Sequence, residues 1–261
     1  MKPASDHGQR GFVWNDRMTS VLSPVLLLLV WEVCARTHAV DTRFFPAPSQ
    51  ILVHLADLSA SGALWRHVGA SLSRLMIGFL VGGVPAIFLG LAMGLYRPVR
   101  AAFDPLISAT YPIPKSSLLP LILLIFGLGE GSKIAMVAIG VFYPVVINTA
   151  AGVGQIAPIY LDVGRNFGAS RFNMFRTVAF PGALPLIMTG IKLGAGMGLV
   201  LIAIAEMVGA KQGLGYMIWN AWEVFDVEAM YVGLFVIAII GFIMNAGFDA
   251  LERTIVPWQS R

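Results

Sequence analysis

The stretch that decides how this chain is organised is residues 155–185, QIAPIYLDVGRNFGASRFNMFRTVAFPGALP. It is a polar and basic interruption in an otherwise strongly apolar sequence. Asp162, Arg165 and Asn166 share one side of a predicted helix. The apolar residues that recur on the other face are Ile156, Ile159, Tyr160, Val163 and Phe167. The pattern predicts a short amphipathic helix that contacts another protein.

A sharp turn and a second short helix are predicted next. Gly168 stands where a left-handed C-terminal cap would fall, and Ser170 can cap the N-terminus of the following helix. We expect that second helix to end at Pro181. Its apolar residues are Phe172, Phe175 and Val178. An ordinary loop between two membrane spans is the alternative that the pattern leaves open.

The composition indicates an integral membrane protein. Of the 261 residues, 57% are hydrophobic and 12% are charged, whereas roughly a quarter of residues are charged in soluble domains. Apolar runs approach the roughly 20 residues that a helix needs to cross a bilayer. The net charge of +4 is assigned to cytoplasmic loops, because the basic residues are scattered rather than arranged for nucleic acid.

Six spans are predicted, and a cleaved signal peptide is the alternative for the first. Trp31, Glu32 and Arg36 disfavour cleavage, because they stand where a small-residue cleavage site should be. The single Cys34 can form no internal disulfide. The predicted spans are residues 19–35, 71–96, 104–128, 133–151, 184–207 and 229–250.

Small residues and prolines predict how some of these spans pack. A small residue at every fourth position makes one helix face smooth enough for close approach by another helix. Span 104–128 should be bent or unwound near its start, because prolines break the helical hydrogen-bond ladder there. The prolines are Pro112, Pro114 and Pro120. The small residues are Gly78, Gly82, Ala86, Gly90 and Gly94 in span 71–96, and Gly190, Gly194 and Gly198 in span 184–207.

The distribution of Lys and Arg predicts that both termini are cytoplasmic, because cytoplasmic loops are enriched in these residues. Those predicted inside are Lys2, Arg10, Arg17, Arg97, Arg100, Arg165, Arg171, Arg176, Arg253 and Arg261. Those predicted outside are Arg36, Arg43, Arg66, Arg74, Lys133 and Lys211.

Four polar residues inside predicted spans are candidates for a translocation path, because such residues are costly in a bilayer. They are Lys115, Asn148, Lys192 and Glu206. Lys115 could serve a gate or the membrane interface. Lys192 could instead extend to the cytoplasmic interface. Glu206 could serve an outer gate or helix packing.

The residues give no sign of catalysis. All four histidines lie outside the predicted spans without metal-ligand spacing, and no nucleophile elbow or nucleotide-binding loop occurs. The chain is therefore expected to be no enzyme and to bind no metal. An outer segment carries Trp219 and Trp222 at the depth where aromatic residues favour the membrane interface.

The segment 155–185 resembles the EAA loop of permease subunits of bacterial ABC importers. The pattern stands here as Asp162-Val163-Gly164, then Gly168, then Leu184-Pro185. Asp replaces the family's Glu, and Val-Gly replaces Ala-Ala. Gly164 should weaken the helix by about 1 kcal/mol relative to Ala.

This resemblance implies that the loop is a coupling helix seated in a groove on a separate ATPase subunit, with the glycine making the turn. The residues that it places at the ATPase are Tyr160, Asp162, Val163, Gly164, Arg165, Phe167, Gly168, Ala169 and Ser170.

The resemblance extends over nearly the whole chain, to permeases that carry aliphatic sulfonates, taurine, nitrate or bicarbonate. It implies an all-α polytopic membrane protein of about six transmembrane helices with the type I ABC importer permease (MetI-like) fold. Residues 71–250 would form a five-helix core with the coupling loop at 155–182. Residues 36–70 would be an extracytoplasmic connector. The cytoplasmic tails would be 1–18 and 251–261.

The family also implies partners in the bacterial cytoplasmic (inner) membrane. These are a second permease copy, with a homodimer favoured, two cytoplasmic ATP-binding subunits, an extracytoplasmic substrate-binding protein facing Trp219 and Trp222, and membrane lipid. ATP and Mg would be bound by the ATPase, and no cofactor by this chain. The expected cargo is a small anion, sulfonate- or taurine-like, with nitrate or bicarbonate possible. An ion-coupled secondary transporter or channel is the alternative.

Overall fold

The structure is a computed structural model that describes residues 16–258, without the side chains of residues 16–21, 161, 165 and 171. Within that range it contains helices and no strand, so the expected all-α class is confirmed. Parts of both predicted tails, residues 1–15 and 259–261, lie outside the described residues.

The helices follow the predicted order along the chain. A 3₁₀ turn, Lys115–Leu118, precedes α5, and a π-helical segment, Phe175–Ala179, precedes α9. The helices are α1 (Asp16–Arg36), α2 (Pro48–Ala60), α3 (Ala63–Leu95), α4 (Arg97–Thr110), α5 (Leu119–Phe126), α6 (Glu130–Gly154), α7 (Pro158–Asn166), α8 (Arg171–Met174), α9 (Phe180–Met207), α10 (Leu214–Glu223) and α11 (Val227–Ile255).

Four helices of the described part are long and apolar enough to cross a membrane, namely α3, α6, α9 with the residues before it, and α11. The pair formed by α4 and the segment Lys115–Phe126 supplies a fifth span if it counts as one. Helix α1 (Asp16–Arg36), which contains the predicted first span, is not among the helices of the described part that meet this length and apolarity.

The core is built around α6, which packs against α3 on one side and α9 on the other. Four valines of α6 are fully buried there, namely Val137, Val141, Val145 and Val146. The predicted close approach is confirmed at Gly82, where a Cβ would lie only 2.2 Å from the Ala138 carbonyl oxygen of α6. Any larger residue at Gly82 would push the two helices apart.

The predicted span 104–128 is broken, as its prolines suggested, but it is two helices rather than one bent helix. The chain turns by 91° between α4 and the segment that begins at Lys115. Pro112 and Pro114 lie in this turn. Because proline has no N–H and disfavours helix at the preceding residue, the ladder cannot continue through it.

The prediction that a helix ends at Pro181 is wrong. The helical run continues from α8 through the π-helical segment into α9, and Pro181 lies in the first turn of α9. In the π-helical segment the Phe180 N–H donates to the Phe175 carbonyl, five residues back. A proline is tolerated in the first turn of a helix, where its missing N–H is not needed.

One other boundary differs from the predicted one. Helix α3 begins at Ala63 rather than near residue 71, so its first two turns fall in the predicted connector. We call the end of the bundle that carries α2 and α10 the outer end, and the end that carries α7 the inner end, after the predicted orientation.

Candidate functional site

At the inner end, α7 is followed by the turn that the sequence predicts. Gly168 has φ +70°, the left-handed conformation of a C-terminal cap. The Ala169 N–H donates to the Gly164 carbonyl at 2.9 Å, which is the long bond of a Schellman motif. Ser170 then caps α8 by accepting from the Asn173 N–H at 3.2 Å. The chain therefore reverses direction at Gly168 with its exposed backbone groups largely satisfied.

Gly164, one of the three residues that depart from the family pattern, is explained by packing. A Cβ at this position would lie 2.6 Å from the terminal methyl of Met174. The thioether side chain thus occupies the space that an alanine would take, and it joins α7 to α8. This contact offsets part of the helix stability that is lost because glycine has a low helix propensity.

The apolar face of α7 is exposed rather than buried, although Ile156 beneath it packs against the core through Leu184 and its neighbours. Phe167 is 87% exposed and Tyr160 is 64% exposed. We call the exposed apolar residues of this segment the docking face: Ile159, Tyr160, Val163, Phe167 and Phe172. Exposed apolar patches of this kind are typical of surfaces that contact other proteins or a membrane.

The other predicted contact residues lie on the same helix–turn–helix unit. Asp162 and Ser170 are exposed, and Ala169 is half-buried. The side chain of Arg165 lies outside the described part of the structure.

Lys115 caps the broken span. Its ammonium donates to the carbonyls of Thr110, Tyr111 and Ile113 at 3.0, 2.9 and 3.0 Å. It also lies 4.0 Å from the centre of the Tyr143 ring. These carbonyls are the ones that the break in the helix releases, so Lys115 satisfies the groups that a bend leaves unpaired.

Lys192 joins α9 to α11 through an ion cluster. Its ammonium donates to the carboxylates of both Asp249 and Glu252. The side chain therefore reaches α11. The sequence had also allowed it to extend to the cytoplasmic membrane interface. Asn148, another predicted path residue, donates to the Pro144 carbonyl of its own helix at 2.8 Å.

Glu206 lies at the outer end, far along α9 from Lys192, and it is fully buried. Its carboxylate accepts from the Ser71 hydroxyl at 2.7 Å, the Arg74 guanidinium at 2.8 Å and the Gly215 N–H at 3.0 Å. Within the described part of the chain, the four predicted path residues thus bond to separate partners rather than to one another.

The partners of Glu206 were not predicted from the sequence. Arg74 was counted as an outer-loop residue, yet it lies in α3 and is buried. It also makes a two-pronged contact with Glu130, at 2.6 and 2.7 Å. A signal was available, because Arg74 falls inside the predicted span 71–96, where a charge needs a partner.

Lys133 was likewise counted outside but is buried in the first turn of α6. Its ammonium donates to the carbonyls of Leu128 and Gly209. It therefore holds two outer turns against the end of α6.

Helix α10 lies at the outer end with one face buried and one exposed. Leu214, Met217 and Ile218 face the core, while Trp219 and Trp222 are exposed. The two indole rings lie 4.8 Å apart, and the Trp219 Nε1–H donates to Glu223 at 3.0 Å. Close by in sequence, Phe225 is exposed with φ +58°.

The connector before α2 carries one exposed ion pair, between Arg43 and Asp41 at 2.8 Å. Hydrogen bonds from Arg43 lower the pKa of the Asp41 carboxyl below its ordinary value. Within the described residues, no group of three or more His, Cys, Asp or Glu side chains could hold a metal ion.

Comparison with known proteins adds three findings. Residues 86–260 match the family described as "Binding-protein-dependent transport system inner membrane component". The taurine transport system permease protein TauC of Escherichia coli K12 is 36% identical over 245 residues, covering 92% of this chain and 89% of that protein. The putative aliphatic sulfonates transport permease protein SsuC of the same organism is 34% identical over 246 residues, covering 94% of each.

A solved structure of the MetNI methionine ABC transporter in an inward-facing conformation has a similar fold. The TM-score is 0.55 at 21% identity, over 74% of this chain and 94% of that one.

Proposed function

This chain belongs to the family of binding-protein-dependent transport system inner membrane components, and from that premise we propose that it is the permease subunit of an ATP-driven importer. Multi-pass location in the inner membrane and the type I permease fold follow from the family, the apolar helices and the structural neighbour. We propose that both termini are cytoplasmic, and the distribution of Lys and Arg supports this orientation.

One observation carries the proposal that a separate ATPase drives transport: the docking face on α7. Aromatic residues exposed on a rigid helix–turn–helix unit are the kind that anchor protein interfaces. The unit is not a loose loop, because Gly168 and Ser170 cap both of its helices. We assign this face to a groove on the ATPase, which alone would bind ATP and Mg.

The structure also supports a route from the ATPase to the membrane. The helical run that begins beside the turn continues to Met207, so residues 172–207 form one element of 36 residues. A displacement of the docking face would therefore move α9 directly. Two permease copies, one per ATPase subunit, would rock between inward-open and outward-open states as the ATPase pair closes and opens.

The second copy is expected to be identical, because each chain carries one coupling unit and two are needed. The binding protein would approach the outer end, where α10 exposes Trp219 and Trp222. Exposed aromatic residues next to a polar rim suit such a transient contact.

For the cargo we propose a small sulfonate, taurine-like in size and charge. The names of the relatives, which are 36% and 34% identical over nearly the whole chain, support this class. Lys115 and Lys192 remain the proposed basic residues of the path. Both ammonium groups already have partners in this structure, so the path would use them only after those partners separate.

The test is uptake of radiolabelled taurine and of an alkanesulfonate by vesicles that contain this chain, its ATPase and its binding protein. We expect uptake that requires ATP inside the vesicle. Uptake that survives ATP depletion and collapses with an ionophore would instead indicate an ion-coupled secondary transporter.

The basic path has its own test. Lys115→Gln combined with Lys192→Gln should abolish uptake while the complex still assembles. Normal uptake by the double variant would remove these lysines from the path.

A further inference from the structure

A buried polar network fastens α10 to the ends of three core helices. Ser71 and Arg74 come from α3, Glu130 from α6 and Glu206 from α9. We call these four residues the outer network. Of these four residues only Glu206 was predicted to line the translocation path, and the proposed function gives no role to the other three.

The outer network is centred on a carboxylate with no access to solvent. Glu206 is 0% exposed, and hydrogen bonds from Ser71, Arg74 and Gly215 serve its two oxygens. Glu130 is the member that reaches the surface, with its side chain 64% exposed. Arg74 therefore links a buried carboxylate to an exposed one.

The turn between α9 and α10 closes directly over this carboxylate. The Gln212 carbonyl accepts from Arg74 at 2.7 Å, and the Gly213 N–H donates to His67 at 3.2 Å. The Leu214 N–H donates to Ser71 at 2.8 Å. With the Gly215 N–H on Glu206, four consecutive backbone groups are held by side chains of α3 and α9.

Two glycines make this closure possible. Gly213 has φ +128°, and a Cβ there would lie 2.2 Å from the carboxylate carbon of Glu206. A Cβ on Gly215 would lie 2.0 Å from the Ala203 carbonyl oxygen. The turn is thus shaped around the Glu206 side chain, and α10 begins in one fixed orientation.

A buried ion pair is weak evidence for stability, since apolar residues of similar volume often replace such pairs without loss. Its better attested use is to specify one arrangement of the chain. In this chain the arrangement specified is the orientation of α10, and Glu206 sits at the far end of the same helical element that starts at the coupling turn.

From these contacts we infer that Arg74 and Glu206 are positioning residues that tie α10, with its exposed Trp219 and Trp222, to the outer ends of α3 and α9. The binding protein would then meet a surface whose position follows those of α3 and α9. This inference rests on the proposed permease function for its transport consequence, while the attachment of α10 does not depend on it.

The attachment can be tested on the purified chain in detergent, by the rate at which trypsin cuts after Lys211 in the α9–α10 turn. Arg74→Gln removes the bond to Gln212 and leaves Glu206 without its cation, so cleavage should accelerate about tenfold as the turn opens. Ser71→Ala is a milder variant that removes one hydrogen bond from Glu206 and one from Leu214. It should accelerate cleavage about threefold.

Glu32→Gln is the matched control. Its carboxylate also lies toward the outer end and accepts hydrogen bonds, but from Ser49 and Arg36 rather than from α10. Cleavage after Lys211 should match that of the unmodified chain. Equal rates for Arg74→Gln, Ser71→Ala and the control would overturn the inference.

The consequence for transport is measured on the full complex, as ATP hydrolysis against the concentration of binding protein. For Arg74→Gln the concentration that gives half-maximal stimulation should rise about tenfold, with the maximal rate within about twofold. Arg74→Lys should lie between, because lysine can pair with Glu206 but lacks the fork that also holds Glu130.

The outcomes separate the two claims. If the unmodified complex hydrolyses no ATP in response to a binding protein, the proposed function fails and the protease result stands alone. If stimulation is normal but unaffected by Arg74→Gln, the positioning role fails and the proposed function survives.

Discussion

At the outer end of the bundle the Glu206 carboxylate is fully buried and bonded to three groups of the same chain. At the inner end the Phe167 ring is 87% exposed and Tyr160 is 64% exposed. A charged group, which is costly to bury, is thus enclosed at the outer end. Aromatic rings, which are unfavourable in water, are exposed at the inner end. Both arrangements oppose the simple expectation of charges outside and rings inside.

The difference shows which of these groups find their partners within one chain. The outer network satisfies its charges with partners from α3, α6 and α9, so it needs nothing further to be stable. The docking face has an ordered backbone but no apolar cover within the described residues. An exposed apolar patch of this kind is typical of a contact with another protein or with a membrane. The contrast between the two ends can be tested by substitutions, taken here from the largest expected effect to the smallest.

The largest effect is expected from Glu206→Ala. Removing the carboxylate leaves Arg74 buried with one anionic partner instead of two, and breaking a buried pair in this way costs about 3–5 kcal/mol. Thermal unfolding in detergent should show a clear fall in midpoint, with Glu32→Gln as the control that changes it little. Equal unfolding midpoints for the two variants would mean that the outer network does not stabilise the fold.

Phe167→Glu should act at the other end without destabilising the chain, because the ring is exposed in the isolated subunit. Loss of an interface aromatic anchor costs about 2 kcal/mol, or roughly thirtyfold in affinity. Binding of the purified ATPase to the chain in detergent measures this, and Phe167→Leu is the conservative control. Unchanged affinity would exclude Phe167 from the interface.

Gly168→Val should have a smaller effect and destabilise the turn between α7 and α8 by about 1–2 kcal/mol. A β-branched residue is strained at φ +70°, so the turn would open and misalign α7 with α8. Gly168→Asn is the matched control, because asparagine tolerates this conformation. Uptake should fall for valine and persist for asparagine, and similar uptake by both would show that the turn geometry is not needed.

The smallest effect is expected from Gly164→Ala, which should change the free energy of unfolding by less than about 1 kcal/mol. The new methyl gains helix propensity and meets only the flexible end of Met174, at 2.6 Å. The same change at Gly215 meets the rigid Ala203 carbonyl at 2.0 Å and should lower the unfolding midpoint. Equal tolerance at both glycines would weaken the contrast between the two ends.

The sequence predicted best what depends on neighbours along the chain. Gly168 and Ser170 were assigned their caps from local spacing, and both caps are present. The break after α4 followed from its prolines, and the close approach at Gly82 from the small-residue stripe. The family match and the taurine and sulfonate relatives confirm the resemblance drawn from the motifs.

Most of what it missed depends on residues that are distant in sequence. Arg74 and Glu206 are separated by 132 positions, and no local pattern links them. Lys192 meets Asp249 only because α9 and α11 pack together. Pro181 was taken as a helix end, since nothing in the local pattern predicts the π-helical segment that precedes it.

The roles of the predicted site residues still rest on prediction. The structure places the coupling residues on one ordered unit, while Lys115 and Lys192 each have structural partners. Their part in transport is open to the uptake test above.

The most direct test of the central contrast is a mild-detergent pull-down of the tagged chain from its native membrane, with the recovered partners identified by mass and assayed for ATP hydrolysis. We expect the unmodified chain and Arg74→Gln to recover an ATPase, and Phe167→Glu to lose it. Recovery of the chain alone across several detergents, or an ATPase retained by Phe167→Glu, would contradict the assignment of the docking face.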